Sequence, residues 1–444
     1  MAGQNMVILG GGESGVAAAL LAQAKGYEVF VSDERQIGAV FKEELLRADI
    51  AFEEGGHFSP VLQEADVVIK SPGIPGDHPL VTNYRSRNIP VWSEIEFASR
   101  FIDGQILAIT GTNGKTTTTH LVHHLFEHAG RSVACGGNIG NALARLAMQP
   151  PVDWYILELS SFQLDDIDQF HPRIAIILNV TPDHLDRYEN NMARYARAKL
   201  QISLNQTAQD TLILQQGNAY LQDGLKEAPI RAMITEVGHP EGEAGDWLLV
   251  DGHRYDLSSF VLRGTHNLYN TTCAILAARK AGLTPQEIQA ALPSFKPVSH
   301  RMEPIGSRQG VDYINDSKAT NVDAVWYALQ AMNQPVVWIA GGKDKGNDYT
   351  ALIELAREKV KALVCLGLET SKLEQAFDGI IPTILVTRSM PQAVQAACRI
   401  AEAGDCVLLS PACASFDLFR NYEHRGQCFR EAFHELETEN LPCH

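Results

Sequence analysis

The sequence Thr110-Gly111-Thr112-Asn113-Gly114-Lys115-Thr116-Thr117 lies between an apolar run, Ile106–Thr110, and a segment with helical periodicity, Thr116–Ala129. A glycine-rich turn between a strand and a helix binds phosphate, because successive backbone N–H groups face the anion and the helix N-terminus adds partial positive charge. Lys115 can reach the β- and γ-phosphates of a nucleotide, and the Thr116 hydroxyl can coordinate Mg²⁺. The pattern therefore predicts a site for a nucleoside triphosphate.

The spacing of this loop departs from that of the common phosphate-binding loop. The pattern G-x-x-x-x-G-K requires a glycine where the chain has Ile109, and only two residues separate Gly111 from Gly114. The alternative interpretation is a purely structural turn. The strand before the turn and the helix after it favour nucleotide binding.

A second glycine-rich turn, Gly10–Gly15, fits G-x-G-x-x-G between a predicted strand, Met6–Leu9, and a predicted helix, Ser14–Lys25. Asp33 ends the next strand, at a position where a carboxylate often binds a ribose hydroxyl. Three interpretations are open: binding of NAD, binding of another nucleotide, and a structural turn. Another nucleotide is favoured over NAD, since the same backbone geometry binds any nucleotide diphosphate.

Two polar residues follow predicted strands of the central part of the chain. Glu158 lies at the end of Trp154–Leu159, and His184 comes just after Ile174–Asn179. Because the carboxyl ends of parallel strands line the ligand crevice, both side chains are expected to face whatever Lys115 holds. Either could bind Mg²⁺, and the histidine could instead orient a substrate.

Lys199 lies on a predicted helix, Ala193–Ile202, four residues after Tyr195. A lysine in such a position most often belongs to a solvated helix face. Spacing alone therefore gives Lys199 no function.

Strand and helix patterns alternate along the chain, which predicts an α/β fold of three domains, each built on a mostly parallel sheet. The domains are expected at residues 1–93, 94–298 and 299–444, with linker-like composition at Ser294–Pro297. The predicted strands of the third domain are Val311–Asn315, Val336–Ala340, Ala362–Leu366 and Cys406–Leu409.

Composition limits the classes of partner. The 444 residues carry a formal charge of −16, which argues against broad binding to nucleic acids or anionic membranes. The apolar runs are far too short to span a membrane, and no secretory signal is visible. The eight cysteines include no C-x-x-C pair, so reduced thiols in a cytoplasmic protein are expected rather than a zinc site or a disulfide framework.

Together these motifs resemble the Mur ligases, and within that family the branch that adds D-glutamate. The similarity spans essentially the whole chain and continues through motifs in the family's order. These motifs are Gly111–Thr117, Gly136–Gly140, Glu158–Leu164 (ELSSFQL), Asn179–Tyr188 (NVTPDHLDRY), Ala198–Leu200, Gly264–Asn270 (GTHNLYN), His300-Arg301, Asn315–Asn321 (NDSKATN) and Ser410–Asp417 (SPACASFD).

The resemblance implies Rossmann-like first and third domains around a central P-loop ATPase domain, and the substrates UDP-N-acetylmuramoyl-L-alanine, ATP and D-glutamate. It implies a cytoplasmic monomer with two Mg²⁺ ions, and a carbamylated Lys199 as a metal ligand. The implied catalytic residues are Lys115, His184 and Lys199, and the implied metal-binding residues are Thr116, Glu158, His184 and Lys199.

The resemblance also implies a binding set for each substrate. For ATP the residues are Gly111, Thr112, Asn113, Gly114, Lys115, Thr116, Thr117, Asn270, Arg301 and Asp316. For the UDP-linked substrate they are Gly12, Ser14, Asp33, Arg35, Gly73 and Asn138. For D-glutamate they are Lys318, Thr320, Lys345, Ser415 and Tyr422.

The chain departs from the family pattern at a few positions. Glu34 stands where a hydroxyl residue is expected near the UDP group, and a second carboxylate beside a pyrophosphate is electrostatically unfavourable. Tyr422 replaces an expected phenylalanine, and Lys343 is an alternative match to Lys345.

Other enzyme classes remain as alternatives. A folylpolyglutamate synthetase-like ligase shares the loop and the lysine but does not need the Gly10–Gly15 domain, and sister Mur ligases add other amino acids. An NAD-dependent dehydrogenase would leave Gly111–Thr117 unexplained, and a non-catalytic nucleotide-binding regulator would bind ATP without turnover.

Overall fold

The computed structural model of the chain describes residues 3–227, 230–238, 246–262, 264–296, 299–344 and 346–439. The chain divides into two compact units. The first consists of Met1–Phe260 and Asn267–Phe295, and the second of Val261–His266 and Lys296–His444. The predicted linker at Ser294–Pro297 thus coincides with a division between units, whereas the segment 261–266 joins the second unit from an earlier position in the sequence.

The N-terminal part of the first unit contains a parallel sheet with the strand order β3-β2-β1-β4-β5. Its strands are β1 (Asn5–Leu9), β2 (Glu28–Asp33), β3 (Ala51–Glu54), β4 (Val67–Lys70) and β5 (Val91–Trp92).

The central sheet is also parallel, with the order β11-β10-β9-β6-β8-β7. Its strands are β6 (Gln105–Thr110), β7 (Val133–Gly137), β8 (Trp154–Glu158), β9 (Ile174–Ile177), β10 (Thr211–Gln215) and β11 (Met233–Val237). A short antiparallel hairpin of β12 (Trp247–Val250) and β13 (His253–Asp256) follows.

The second unit contains a mostly parallel sheet with the order β14-β15-β19-β16-β17-β18. Only the edge strand β14 runs antiparallel to its neighbour β15 in the described pairing. The strands are β14 (Glu303–Arg308), β15 (Val311–Asn315), β16 (Val336–Ala340), β17 (Val360–Leu366), β18 (Ile384–Thr387) and β19 (Cys406–Leu409).

Helices connect the strands and cover the sheets. In the first unit they are α1 (Glu13–Ala24), α2 (Ala39–Arg47), α3 (Pro79–Ser86), α4 (Glu94–Ser99), α5 (Lys115–His128), α6 (Leu143–Leu146), α7 (Ser161–Leu164), α8 (Met192–Leu200), α9 (Ala219–Glu227), α10 (Thr265–Lys280) and α11 (Pro285–Ala291), the first two residues of α10 belonging to the second unit. In the second unit they are α12 (Val322–Ala331), α13 (Ile353–Lys359), α14 (Ser371–Phe377), α15 (Met390–Ile400) and α16 (Tyr422–Glu439).

The central strands are buried on both faces, as parallel strands covered by helices should be. In β6 and β8 nearly every residue is buried, which explains why both read in the sequence as continuous apolar runs rather than as alternating patterns. The predicted fold class, α/β with mostly parallel sheets, is confirmed. The exact domain boundaries at 93 and 298 stay predictions.

Two expectations from composition have structural counterparts. Within the part of the chain that the structure describes, no helix is both long and apolar enough to cross a membrane. Cys135, Cys273, Cys365, Cys406, Cys413 and Cys428 are free. Cys398 is disulfide-bonded, so the expectation of reduced thiols is wrong there. The sequence did not predict this disulfide, because Cys398 is not part of a C-x-x-C pair.

Glu94, the first residue of α4, gives the fold a dependence on pH. Its side chain is buried, its Oε1 accepts a hydrogen bond from the Ala144 N–H (2.6 Å), and its Oε2 has no hydrogen-bond partner within the described residues. Burial raises the pKa of this carboxyl to about 7, and the nearby Glu13 adds to the shift. Between about pH 4.5 and about pH 7, the folded protein therefore holds a proton on Glu94 that the unfolded chain has lost.

We expect the free energy of unfolding to fall as the pH rises from about 4.5 to about 7, by roughly 1.4 kcal/mol for each unit by which the pKa is raised. In Glu94→Gln this fall should disappear, because the amide oxygen still accepts from Ala144 but carries no proton to lose. Urea unfolding from pH 4.5 to pH 8 measures both curves. Parallel curves for the two proteins would contradict the assignment to Glu94.

Candidate active site

The predicted phosphate loop runs from the end of β6 into the start of α5. Gly114 precedes the helix with φ at +85°, in the left-handed region that favours glycine. A Cβ atom at Gly114 would lie 2.5 Å from Oδ1 of Asn270, so this position requires glycine for space as well. The structure thereby brings Asn270, predicted from the resemblance, into contact with the loop.

Asn179, which follows β9, holds the loop in place. Its Oδ1 accepts hydrogen bonds from the N–H groups of Thr112 (3.1 Å) and Asn113 (2.8 Å), and its Nδ2 donates to the Asn113 carbonyl (3.0 Å). Sequence reasoning placed Asn179 in a motif but gave it no role. Its position at the end of a buried strand, the same position that pointed to Glu158, was the available signal.

Lys115 folds back onto the loop. Its Nζ donates to the carbonyl oxygens of Gly111 and Thr112, both at 2.8 Å. An incoming triphosphate would exchange these neutral acceptors for anionic oxygens, which form stronger charge-assisted hydrogen bonds. Thr116 and Thr117, the next two residues of α5, are buried beneath the loop.

Thr116, Glu158 and Asn138 form a buried polar cluster. The Thr116 hydroxyl donates to Oε2 of Glu158 (2.7 Å), and Asn138 Nδ2 donates to Oε1 of the same carboxylate (2.9 Å). Hydroxyl and carboxylate oxygens are ligands that Mg²⁺ accepts, so this donor set fits a magnesium ion beside the loop. Among the described residues, no group of three or more His, Cys, Asp or Glu side chains is arranged to hold a metal ion.

Lys199 is buried, with only 1% of its surface exposed, which overturns the solvated-face interpretation that spacing had suggested. Its Nζ donates to the Gly111 carbonyl at 2.8 Å, the same oxygen that accepts from Lys115. Burial, and then the positive charge of Lys115, hold the pKa of Lys199 well below its usual range.

His184 lies outside this buried cluster. Its main-chain N–H donates to Oδ1 of Asp183 (2.9 Å), and its Nε2 lies 3.6 Å from Oδ2 of the same residue. Its ring and that of Phe162 pack edge to face, with 5.2 Å between the ring centroids. The side chain is 40% exposed and therefore accessible to a ligand.

A cavity of about 560 Å³ opens beside the first glycine-rich turn. The predicted UDP-binding residues Gly12, Ser14, Asp33, Arg35 and Gly73 all line it, as does Glu34. Asn138, predicted in the same set, instead contacts Glu158.

Asp33 shapes this cavity through the backbone. Its Oδ2 accepts from the Gly11 N–H (2.6 Å) and its Oδ1 from the Arg35 N–H (2.8 Å). The carboxylate predicted to bind a ribose hydroxyl thus joins the two turns that form the cavity wall.

The second unit contains the remaining predicted ATP residues. Asp316 is buried, and its carboxylate accepts from the Ser410 hydroxyl (2.8 Å) and the Met302 N–H (3.1 Å). Burial raises the pKa of Asp316 to about 6, and Arg301 opposes that shift. Arg301 and Asp316 therefore interact electrostatically, and their role in ATP binding stays a prediction.

Of the residues predicted for D-glutamate, Lys318 and Tyr422 lie together, with the Lys318 ammonium 5.1 Å from the centre of the tyrosine ring. Ser415 is buried and Thr320 is half-buried in the same unit. Lys345 lies outside the described residues. Tyr422 therefore presents an aromatic face to a lysine, which the expected phenylalanine would also do.

Arg425 was missed by sequence reasoning. It is buried, and it donates to the Ser317 hydroxyl (3.0 Å), the Ser317 carbonyl (2.8 Å) and the Cys413 carbonyl (3.0 Å). Burial lowers its pKa to about 10. The side chain joins the motif segments 315–321 and 410–417, which no pattern in the sequence could indicate beyond its place three residues after Tyr422.

Three domain models of one protein family match the chain. The Mur ligase MurD-like N-terminal domain matches residues 4–93, the Mur ligase middle domain residues 109–278, and the Mur ligase glutamate ligase domain residues 300–413. The UDP-N-acetylmuramoylalanine–D-glutamate ligase of Bacteroides fragilis is 46% identical, over 98% of this chain and 100% of that protein. The chain is a Mur ligase.

More distant relatives of this Mur ligase carry the same or related names. The UDP-N-acetylmuramoylalanine–D-glutamate ligase of Salinibacter ruber is 41% identical over 97% of each chain. Among solved structures, the UDP-N-acetylmuramate-alanine ligase of Thermotoga maritima is 18% identical with a TM-score of 0.61, over 97% of this chain and 99% of that one. A folylpolyglutamate synthase of Mycobacterium tuberculosis is 14% identical with a TM-score of 0.60, over 77% of this chain and 92% of that one. At these identities the structural matches show similarity of fold alone.

Replacing Asn179 tests how the Mur ligase builds its phosphate loop. We expect Asn179→Ala to weaken MgATP binding about tenfold or more, because three hydrogen bonds that fix the loop are lost. Calorimetric titration with MgATP measures the change.

Asn218→Ala is the matched control for this experiment. Asn218 donates to the carbonyl of Val180, next to Asn179, and to Oε1 of Gln215 rather than to the loop, so its loss should leave MgATP affinity within about twofold. Equal effects of the two substitutions would contradict a specific role for Asn179.

Proposed function

We propose that this Mur ligase joins D-glutamate to UDP-N-acetylmuramoyl-L-alanine and converts ATP to ADP and phosphate, in the synthesis of peptidoglycan precursors. The observation that carries the proposal is 46% identity along 98% of the chain to ligases of that name. The loop that holds Lys115 and the Thr116–Glu158 pair supplies the equipment for phosphoryl transfer. We expect a cytoplasmic monomer with no nucleic-acid or membrane partner, and these points stay predictions.

The reaction needs ATP because a carboxylate is a poor acyl donor. The substrate carboxylate attacks the γ-phosphorus, ADP leaves, and an acyl phosphate forms whose leaving group is phosphate instead of oxide. Phosphoryl transfer depends mainly on positioning and charge stabilisation. Lys115 would therefore neutralise the β- and γ-phosphates, and the Asn179-held loop with Asn270 would fix their position.

Thr116 and Glu158 would hold a Mg²⁺ ion beside the γ-phosphate, with Asn138 orienting the carboxylate. When bound, the ion supplies positive charge between two anions that would otherwise repel each other. His184, exposed and adjacent to Asp183, is proposed to serve a second ion together with Lys199.

Lys199 is proposed to act as a carbamate. The neutral amine attacks carbon dioxide, a C–N bond forms, and the nitrogen releases a proton to solvent, which leaves an anionic group. Burial and the neighbouring Lys115 favour the neutral amine that this reaction requires, and a carbamate would place a negative charge near the Lys115 ammonium.

The UDP group is proposed to bind in the cavity beside Gly12, Ser14, Arg35 and Gly73. D-glutamate is proposed to bind in the third domain near Lys318, Thr320, Ser415 and Tyr422, with Lys345 as a further ligand. Its neutral amine would attack the acyl phosphate, and phosphate would leave from the tetrahedral intermediate while the amine proton passes to a base.

Release of ADP with a panel of amino acids tests the proposal. With UDP-N-acetylmuramoyl-L-alanine and MgATP present, we expect turnover with D-glutamate at least about a hundredfold above that with L-alanine, a diamino acid or a D-alanyl-D-alanine dipeptide. Sites with buried polar groups reject ligands that leave those groups unpaired. Turnover with a different amino acid would assign the chain to a sister ligase, and turnover with folate substrates would assign it to a synthetase of that kind.

The carbamate has its own test. We expect Lys199→Ala to lose activity by well over about a hundredfold, the scale of losing a key electrostatic group, and to regain part of it when formate or acetate is added in place of the carbamate. Lys226→Ala, at an exposed lysine paired with Asp223, is the control. It should keep wild-type activity, and added formate or acetate should not change that activity. Full activity of Lys199→Ala without added carboxylate would contradict the role.

A further inference from the structure

Arg187 contacts three successive carbonyl groups of a distant loop. Its Nη1 donates to the Gly73 carbonyl (3.1 Å), and its Nη2 donates to the carbonyls of Pro72 (3.3 Å) and Ile74 (3.2 Å). The two segments are more than a hundred residues apart in the chain. A planar guanidinium with several N–H donors can satisfy such a convergent set, whereas the ammonium of lysine cannot reproduce the fork.

The loop that Arg187 binds is one wall of the N-terminal cavity. Gly73, Ile74 and Pro75 line the cavity, and a turn closed by the Ile74 N–H and the Ser71 carbonyl (3.0 Å) shapes it. Ser71 packs against Gly10 of the glycine-rich turn, where a Cβ atom would lie 2.5 Å from the serine Oγ. Movement of this loop therefore changes the cavity itself.

On its other side Arg187 contacts the segments that carry the candidate catalytic residues. Its guanidinium lies 4.6 Å from the ring centre of Phe162, and its main-chain N–H donates to the His184 carbonyl (3.0 Å) within a single short turn of the backbone. The same ring meets the His184 imidazole. Phe162 belongs to α7, which begins three residues after Glu158. One side chain thus contacts both the cavity wall and the ring against which His184 packs.

Two other cationic side chains, Lys70 and Arg85, anchor the same loop to the central domain. The Lys70 ammonium forms a buried ion pair with Asp166 (2.9 Å) and donates to the Ile74 carbonyl (2.9 Å), and Arg85 pairs with the same carboxylate while it donates to the Gly76 carbonyl (2.9 Å). These bonds hold the loop to the central domain through Asp166. Arg187 is therefore not needed merely to anchor the loop, and its distinct side-chain contact is the one to the Phe162 ring, which packs against His184.

We propose that Arg187 is a positioning residue that couples occupation of the N-terminal cavity to the placement of His184 and Phe162. Binding of the UDP-linked substrate and binding of ATP then strengthen each other, although the two ligands occupy separate sites. The identity of the two ligands rests on the proposed function. The coupling itself rests on the contacts of Arg187.

The experiment measures coupling without turnover. UDP-N-acetylmuramoyl-L-alanine is titrated into the full chain by calorimetry, with and without a non-hydrolysable ATP analogue and Mg²⁺, in the absence of D-glutamate. We expect the analogue to tighten binding to the wild-type protein about fivefold or more, the lower end of ordinary coupling between sites. In Arg187→Lys this ratio should fall to within about twofold of unity, while binding of the analogue alone is unchanged.

Two further variants keep the test decisive. Phe162→Leu removes the ring between Arg187 and His184 and should lose the coupling in the same way, which covers the case in which Arg187→Lys does not fold. Arg85→Lys, at the same loop but without contacts to His184 or Phe162, should retain the wild-type ratio.

Several results would overturn the inference. One is a wild-type protein that binds both ligands independently; another is an unchanged ratio in both Arg187→Lys and Phe162→Leu. Equal weakening of UDP-substrate binding with and without the analogue would make Arg187 only a part of the cavity wall. A wild-type protein that does not bind the UDP-linked substrate at all would instead refute the proposed function, so the two failures are distinguishable.

Discussion

The order of strands β9, β6 and β8 in the central sheet is the constraint on which the site depends. β6 leads into the glycine-rich loop. On one side β9 is followed by Asn179, and on the other side β8 ends in Glu158. Because the carboxyl ends of parallel strands lie at one edge of the sheet, Asn179, which holds the loop, and the Glu158 carboxylate lie on opposite sides of the glycine-rich turn. Helix α8 then adds Lys199 from below, on the Gly111 carbonyl that Lys115 also uses.

That shared carbonyl links structure to chemistry. Two ammonium groups on one oxygen repel each other, and the buried one can relieve the repulsion by giving up its proton. The loop backbone that is proposed to receive phosphate therefore also holds the Lys199 ammonium, whose pKa is lowered first by burial and then by the charge of Lys115.

Much of the fold could be predicted from sequence because buried parallel strands read as short apolar runs. β6, β8, β15, β16 and β19 were all visible in this way. The edge strands β3, β14 and β18 were not, since their residues are partly exposed and their patterns mix polar with apolar residues. The entry of segment 261–266 into the second unit was hidden as well, because local pattern carries no information on which core a segment joins.

The site was predictable only where a residue's place in a strand or turn defines its surroundings. Glu158 and Lys115 met that condition. Lys199 did not, because whether a helical lysine faces solvent depends on what packs against it, and only the family resemblance suggested otherwise. Asn179, Arg187 and Arg425 act through backbone carbonyls and amides of remote segments, and such partners leave no trace in a side-chain pattern.

The engaged state of Asp33 bears on inhibitor chemistry. Each of its oxygens already accepts a short hydrogen bond from a main-chain amide, so at the proposed UDP site a ligand hydroxyl aimed at this carboxylate would gain less than its location suggests. Affinity is better sought from Arg35 and from the amides at the start of α1, which offer donors to an anion. A scaffold without a sugar that carries a compact acidic group would use these donors and would not depend on Asp33.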